Sequence, residues 1–371
     1  MPGSRCAQAL LCAPGPVTSL PGLSLQPVFR RGHGSIYKAL DRGRLDPWIA
    51  ALDTEPDSWT APVDVTRIPP GADTTTATST QIRDLVATLA GQSGADARPT
   101  PLFVFDAGYN PAGLTYDLTG TNANLVVRIR GDRVFYADPP APPPGRRPGR
   151  PRRHGHRFEC AHPNTWPEPD HQTTGHDDRY GTIDVRAWER LHPQLAACRG
   201  HFAAHTTAPI VVGTIIRVQV EHLPKPTSRA TTTLWLWAAG PDPDLNQCWQ
   251  AYLHRFDLEH TFRYLKGTLG WTLPRVCTPQ QADTWTWIVA AAYTQLRLAK
   301  HLIADQRLPW ERSLPQHRLT PTRVRRGFMA LTPTLRTPTH PPKTRTPGPG
   351  RPKGTKTGPR KRHPAIKKKA A

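Results

Sequence analysis

The segment Tyr252-Leu-His-Arg255-Phe-Asp-Leu-Glu259-His-Thr-Phe-Arg-Tyr-Leu-Lys266 places a phenol, a guanidinium, a carboxylate and an ammonium at relative positions 0, 3, 7 and 14. Those intervals stack side chains on one face of a helix, so a helix is predicted from about Leu245 through Lys266. An ordinary amphipathic helix repeats apolar residues at this spacing. Here the repeat is polar, and the apolar residues Leu253, Phe256, Phe262 and Leu265 lie beside it. Arg255 and Glu259 alone would make an exposed i, i+4 ion pair worth ~0.3–0.5 kcal/mol. A tyrosine and a lysine in phase with that pair are left unexplained by it, so the face is read as a functional surface.

The surrounding pattern is mixed α/β. A strand is predicted at Trp48–Leu52, and a helix at residues 78–90, where hydroxyl residues offer N-caps and Ile82, Leu85, Val86 and Leu89 fall at helical intervals. The apolar run Leu102-Phe-Val-Phe105 ends at Asp106-Ala-Gly-Tyr-Asn-Pro, which predicts a buried central strand stopping at a carboxylate and a tight turn. Two alternating strands around a Gly-Asp turn follow over Leu125–Tyr136. Residues 137–232 change character to Pro/Arg/His-rich loops and β-branched runs, notably Pro209 to Val220, and are read as a β-rich insertion. A strand at Thr233–Ala238, the helix bearing the polar face, and a second helix from about Pro279 to Leu302 complete the body. That last helix is expected to pack Trp285, Trp287, Ile288, Ala292, Leu296 and Leu298.

Charge narrows the partner. The 371 residues carry a formal net charge of +21, which implies a polyanion. From Arg336 onward there are twelve Lys/Arg and no Asp or Glu, which leaves 37 basic and 28 acidic residues, a net of +9, in residues 1–335. The stretch 336–371 is expected to be a disordered basic tail. Six cysteines are scattered without a C-x-x-C pair, so neither a disulfide framework nor a four-cysteine zinc site is signalled. No export signal or membrane span is read, because prolines at 14, 16 and 21 interrupt the only early apolar run. The cluster His154, His156, Cys160 and His162 lacks a second ligand pair and is not read as a metal site.

The pattern Tyr-x2-Arg-x3-Glu-x6-Lys resembles the signature of bacterial insertion-sequence transposases of the DDE type, and the layout over residues ~45–330 resembles their RNase H-like core, a mixed sheet flanked by helices and interrupted by a β-rich insertion. The resemblance implies that Glu259 is the third carboxylate of a metal site. In that family the second aspartate ends a central strand, followed by an arginine-containing strand; Val104-Phe-Asp106 and Val127-Arg-Ile-Arg130 match, which implies that Asp106 is the second. Asp106 and Glu259 would then be catalytic and hold Mg²⁺ within about 10 Å of each other, as a two-metal site requires. Tyr252, Arg255 and Lys266 would contact DNA. The implied activity is metal-dependent phosphodiester cleavage and strand transfer at the ends of an insertion sequence. The implied partner is double-stranded DNA, on which the chain would assemble as a homodimer, in the cytoplasm and nucleoid of a bacterium.

The first aspartate of that triad belongs upstream of the strand at 48–52, and residues 1–40 contain no Asp or Glu. Asp41, Asp46, Asp53 and Asp64 fall too late. Residues 1–30 show no clear periodicity and many Pro/Gly, so the N-terminus, residues 1–40, is expected to be irregular, and the missing aspartate suggests that it is non-native, in a chain truncated at that end and lacking one metal ligand. On that expectation a non-catalytic transposase remnant, or a basic structural protein that only binds DNA, stands as the alternative. Two Gly-Arg-Pro cores, with Arg150 and Arg152 in one and Arg351 and Lys353 in the other, resemble AT-hooks and are expected to bind DNA. Across residues 1–371 the expected order is thus 1–40, core residues 41–136, insertion 137–232, core residues 233–335 and tail 336–371.

Overall fold

The computed structural model describes residues 2–13, 15–24, 59–68, 71–92, 99–141, 152–224 and 231–331. The expected strand Trp48–Leu52, the aspartates Asp41, Asp46 and Asp53, the loop residue Arg150, and the tail with Arg351 and Lys353 lie outside the described residues. In chain order the helices are α1 (Pro2–Cys12), α2 (Leu20–Ser24), α3 (Thr74–Ala90), α4 (Pro111–Asp117), α5 (Leu245–His254), α6 (Phe256–Gly267), α7 (Pro279–Ala299) and α8 (Pro321–Leu331). The strands are β1 (Leu102–Phe105), β2 (Asn124–Ile129), β3 (Val134–Tyr136), β4 (Arg157–Glu159), β5 (His171–Asp177), β6 (Gly181–Leu191), β7 (Gly213–Val220) and β8 (Thr233–Ala239). Two compact units divide the chain, one of residues 71–255 and the other of residues 1–70 with 256–371.

The unit of residues 71–255 is built on a six-stranded mixed sheet in the order β1-β2-β8-β7-β6-β5. β1 and β2 are parallel, and the remaining neighbours are antiparallel. β5, β6 and β7 come from the segment read as an insertion, yet they extend the same sheet. β2 is apolar on the face of Leu125, Val127 and Ile129, while its other face carries Asn124, Val126 and the exposed Arg128. Leu125, Val127 and Ile129 pack with Trp235, Trp237 and Ile215 beneath Ile82, Leu114 and Leu118 of the α3–α4 region. Val126 turns to the opposite face, where Leu236, Ile216, Val218 and Val185 meet Cys248, Trp249, Tyr252 and Leu253 of α5. At ~25 cal/mol per Å² of apolar surface, burying these large side chains is the dominant stabilising term.

Three expectations change here. Leu102–Phe105 is a strand, but among the described residues it lies at the sheet edge and is half-buried throughout, because it pairs with β2 alone. The helix expected at 78–90 begins earlier, at Thr74, because Asp73 caps it: the carboxylate accepts the Thr76 N–H at 3.0 Å, and a carboxylate at an N-cap also meets the favourable end of the helix dipole. The helix expected through 245–266 is interrupted at Arg255, which caps α5 while keeping helical dihedrals (φ −53°, ψ −26°). Its N–H is shared between the carbonyls of Ala251 and Tyr252.

β7 starts at a glycine for a steric reason. A Cβ on Gly213 would sit 2.4 Å from the Trp237 indole, which is fully buried. Gly213→Ala is expected to destabilise this unit by about 1–3 kcal/mol, the usual cost of overpacking a filled core, seen as a lower urea midpoint with an unchanged slope. A midpoint equal to that of the parent chain would show that the indole can move aside.

The unit of residues 1–70 with 256–371 is helical. Within residues 2–13 and 15–24, expected to be irregular, α1 and α2 form instead; Ala7, Leu10, Leu11, Val17, Leu20 and Leu23 of α1, α2 and their connection enter its core with Trp285, Ile288, Tyr293 and Leu296 of α7. Arg325 of α8 donates to the carbonyls of Leu10, Ala13 and Gly15, satisfying the end of α1. Leu298, expected in the core, is 72% exposed, whereas Tyr293 on the same helix is fully buried. Its hydroxyl, Thr60 and Thr261 form a buried polar cluster that ties the extended residues 59–61 to α6. Among the described residues no helix is long and apolar enough to cross a membrane.

Candidate active site

The apolar run of β1 ends at Asp106, whose Oδ1 accepts the Ala107 N–H at 2.8 Å while its carbonyl accepts the Tyr109 N–H at 3.3 Å. This tight turn delivers Asn110, which caps α4 by accepting the Gly113 N–H. The backbone is thereby fixed on both sides of a carboxylate that stays half-exposed, 51% for the side chain. Sheet and helix together hold the group at a strand end and leave its second oxygen for a cation.

The cation present is Arg255. Its Nη2 lies 3.8 Å from Asp106 Oδ2, and its guanidinium stacks over the Tyr252 ring at 5.4 Å from the centroid. Tyr252 is buried, 7% exposed, in the α5 face that covers the sheet. In this arrangement its ring supports Arg255. Among the described residues neither the buried Tyr252 hydroxyl nor Arg255 Nε has a hydrogen-bond partner. Orphaned buried donors cost about 1–3 kcal/mol each and in native proteins mark strain, a site or a bound species.

The other two residues of the polar face lie on α6. Glu259 is exposed there, next to Thr261, which turns inward to the polar cluster. Lys266 places Nζ 5.8 Å from the centroids of both Phe262 and Trp271, whose rings stack at 5.9 Å. Trp271 has no counterpart in the spacing argument. Its position, shortly after the last helical turn, was the only sequence signal for a platform under Lys266.

The predicted site residues therefore fall into two groups. Asp106, Arg255 and Tyr252 come together within residues 71–255, while Glu259 and Lys266 belong to the other unit. Arg152 is exposed. The histidine cluster is used internally: His154 Nδ1 contacts His192 Nε2 at 2.9 Å, and His156 Nε2 contacts the Thr165 carbonyl at 3.0 Å. Among the described residues no three His, Cys, Asp or Glu side chains converge as a metal centre. Asp106 and Glu259 are each exposed carboxylates, the ligand type that a hard divalent cation takes, and Asp106 faces a positive charge.

No curated protein matches the chain. Residues 47–194 match the family model of the DDE superfamily endonuclease, a stretch that contains β1 to β6, Asp106 and its turn. In this stretch, about two fifths of the chain, the sequence is similar to the DDE superfamily endonucleases.

Proposed function

We propose that this chain catalyses DNA transposition, cutting phosphodiester bonds at the ends of an insertion sequence and joining the freed 3′ ends to target DNA. The observation that carries this reading is Asp106, a half-exposed carboxylate at the end of β1, inside the matched stretch and beside a supported arginine. Asp106 and Glu259 would each supply a carboxylate oxygen to Mg²⁺, the hard-ligand type that this cation takes. When bound, such ions stabilise the charge that grows on the attacking and leaving oxygens.

The protein's own groups do the rest. A phosphate oxygen arriving at the partly exposed Arg255 guanidinium would make a charge-assisted contact, stronger than a neutral one. Lys266, resting on Phe262 and Trp271, neutralises a phosphate, and the exposed Arg152 offers a further cation to DNA. DNA contacts of this kind position the duplex and carry no sequence information. The partner is therefore duplex DNA, with two copies assembling on the paired ends.

A second reading rests on residues 1–40, which contain no Asp or Glu where the resemblance would put the first carboxylate. A DNA-binding transposase remnant would keep the cations and lose the chemistry. Incubating the full-length chain with supercoiled plasmid separates the two. Nicks that need Mg²⁺ and disappear with EDTA support the transposase; DNA retention without any metal-dependent nicking leaves only the remnant.

A further inference from the structure

His201 lies between β6 and β7, in the short turn Gly200–Phe202, and is enclosed by two carboxylates. Its Nδ1 is 3.0 Å from Asp73 Oδ2 and its Nε2 is 2.9 Å from Asp117 Oδ1, with 10% of the side chain exposed. An ionised carboxylate only accepts, and a neutral imidazole donates from one nitrogen only. Both contacts are hydrogen bonds only when the ring carries two protons. A neutral ring would turn a lone pair toward one of the two carboxylates.

The two partners are structurally placed. Asp73 is the N-cap of α3, and Asp117 is the last residue of α4. Helix α4 is seven residues long, and its cap Asn110 follows Asp106 across a single tight turn. The neighbouring Phe202 and His205 meet the Tyr116 ring edge-on, so the same connection packs on α4 through aromatic contacts as well. The other charged or titratable groups facing this cluster are Arg83, which donates to the Asp117 carbonyl, and His205.

We propose that protonated His201 is a pH-dependent positioning residue, clamping the β6–β7 connection to α3 and α4 and thereby fixing the helix that Asp106 leads into. Its consequence for Asp106 rests on the metal-binding role proposed above; the clamp itself does not. Burial opposes the charged imidazole, but the hydrogen bonds and charges of Asp73 and Asp117 outweigh it, and the pKa of His201 is raised above 6.5. A raised folded-state pKa means that the clamp is at full strength below the unfolded value of 6.5 and is lost as pH rises through the higher folded value.

Hydrogen–deuterium exchange on the full-length chain, corrected for the intrinsic pH dependence of exchange, tests this directly. Between pH 6 and pH 8.5 the peptides covering 108–118 and 196–210 should lose about tenfold in protection, with the rest of the sheet unchanged. His201→Arg, a permanent double donor, should remove the pH dependence, and Asp117→Asn should lower protection at pH 6. Wild-type protection that is flat over this range overturns the clamp, as does a His201→Arg profile that tracks the wild type. Mn²⁺ titration of the wild type and of Asp106→Asn at both pH values adds the second readout. Equal Mn²⁺ affinity in the two proteins, alongside the expected exchange profile, supports the clamp and removes Asp106 from the metal site.

Discussion

Deleting residues 336–371 is expected to make DNA binding far less sensitive to salt. The segment holds twelve cations and no acidic residue, while residues 1–335 retain a net charge of +9. Non-specific affinity falls with the logarithm of salt by ~0.9 per neutralised phosphate. If about half of the twelve cations engage phosphates together, the slope becomes shallower by ~5, and the affinity lost between 50 and 200 mM salt shrinks by about 10³-fold. Filter binding or anisotropy over that salt range measures it. Unfolding by urea should be unchanged, because a segment so rich in Pro, Thr, Lys and Arg has little apolar surface to bury. A slope that stays as steep after the deletion would place the dominant phosphate contacts on the body.

The sequence disclosed elements better than their neighbours. The run Leu102–Phe105 predicted a strand ending at Asp106, and that is what forms, because an apolar run bounded by Asp-Ala-Gly-Tyr-Asn-Pro has no helical alternative. Its edge position was not legible, since strand order is set by pairing with β2, a partner distant in sequence. The same holds for β5 to β7. Their β-branched alternation was plain, but nothing local states that they continue the sheet of β8.

Residues 1–24 were misread because Pro and Gly content outweighed a short apolar pattern, whereas the segment gains its stability from α7 and α8, to which it is held by apolar packing and by Arg325. At Arg255 no proline or glycine announces the interruption, so the spacing argument ran straight through it. What survives of that argument is chemical. Arg255 does face a carboxylate, but among the contacts described here that carboxylate is Asp106, not the helical neighbour Glu259. The imidazolium bridge of His201 was invisible for the same reason as the sheet order: its two carboxylates lie far away in the chain.

Glu259→Gln and Asp106→Asn are expected to abolish metal-dependent cleavage for one shared reason and to affect DNA binding in different ways. On the proposed function each replaces an anionic ligand of a hard cation with a neutral amide of the same shape, so the surface and the fold are preserved while the proposed site loses charge that would retain Mg²⁺. A loss on the order of 10³-fold in nicking rate, about 4 kcal/mol of barrier, is expected from either. In the absence of metal, Glu259→Gln should change duplex affinity by no more than about threefold, ~0.7 kcal/mol, because Glu259 is exposed and sits among a large excess of cations. Asp106→Asn removes the carboxylate that faces Arg255 at 3.8 Å. The freed guanidinium then meets DNA without a competing anion, so metal-free affinity should rise and gain salt dependence of about one phosphate, ~0.9 in slope. Nicking that persists in Glu259→Gln at the parent rate would take Glu259 out of the site. Unchanged metal-free binding in Asp106→Asn would show that Arg255 is committed to the protein and not to a phosphate.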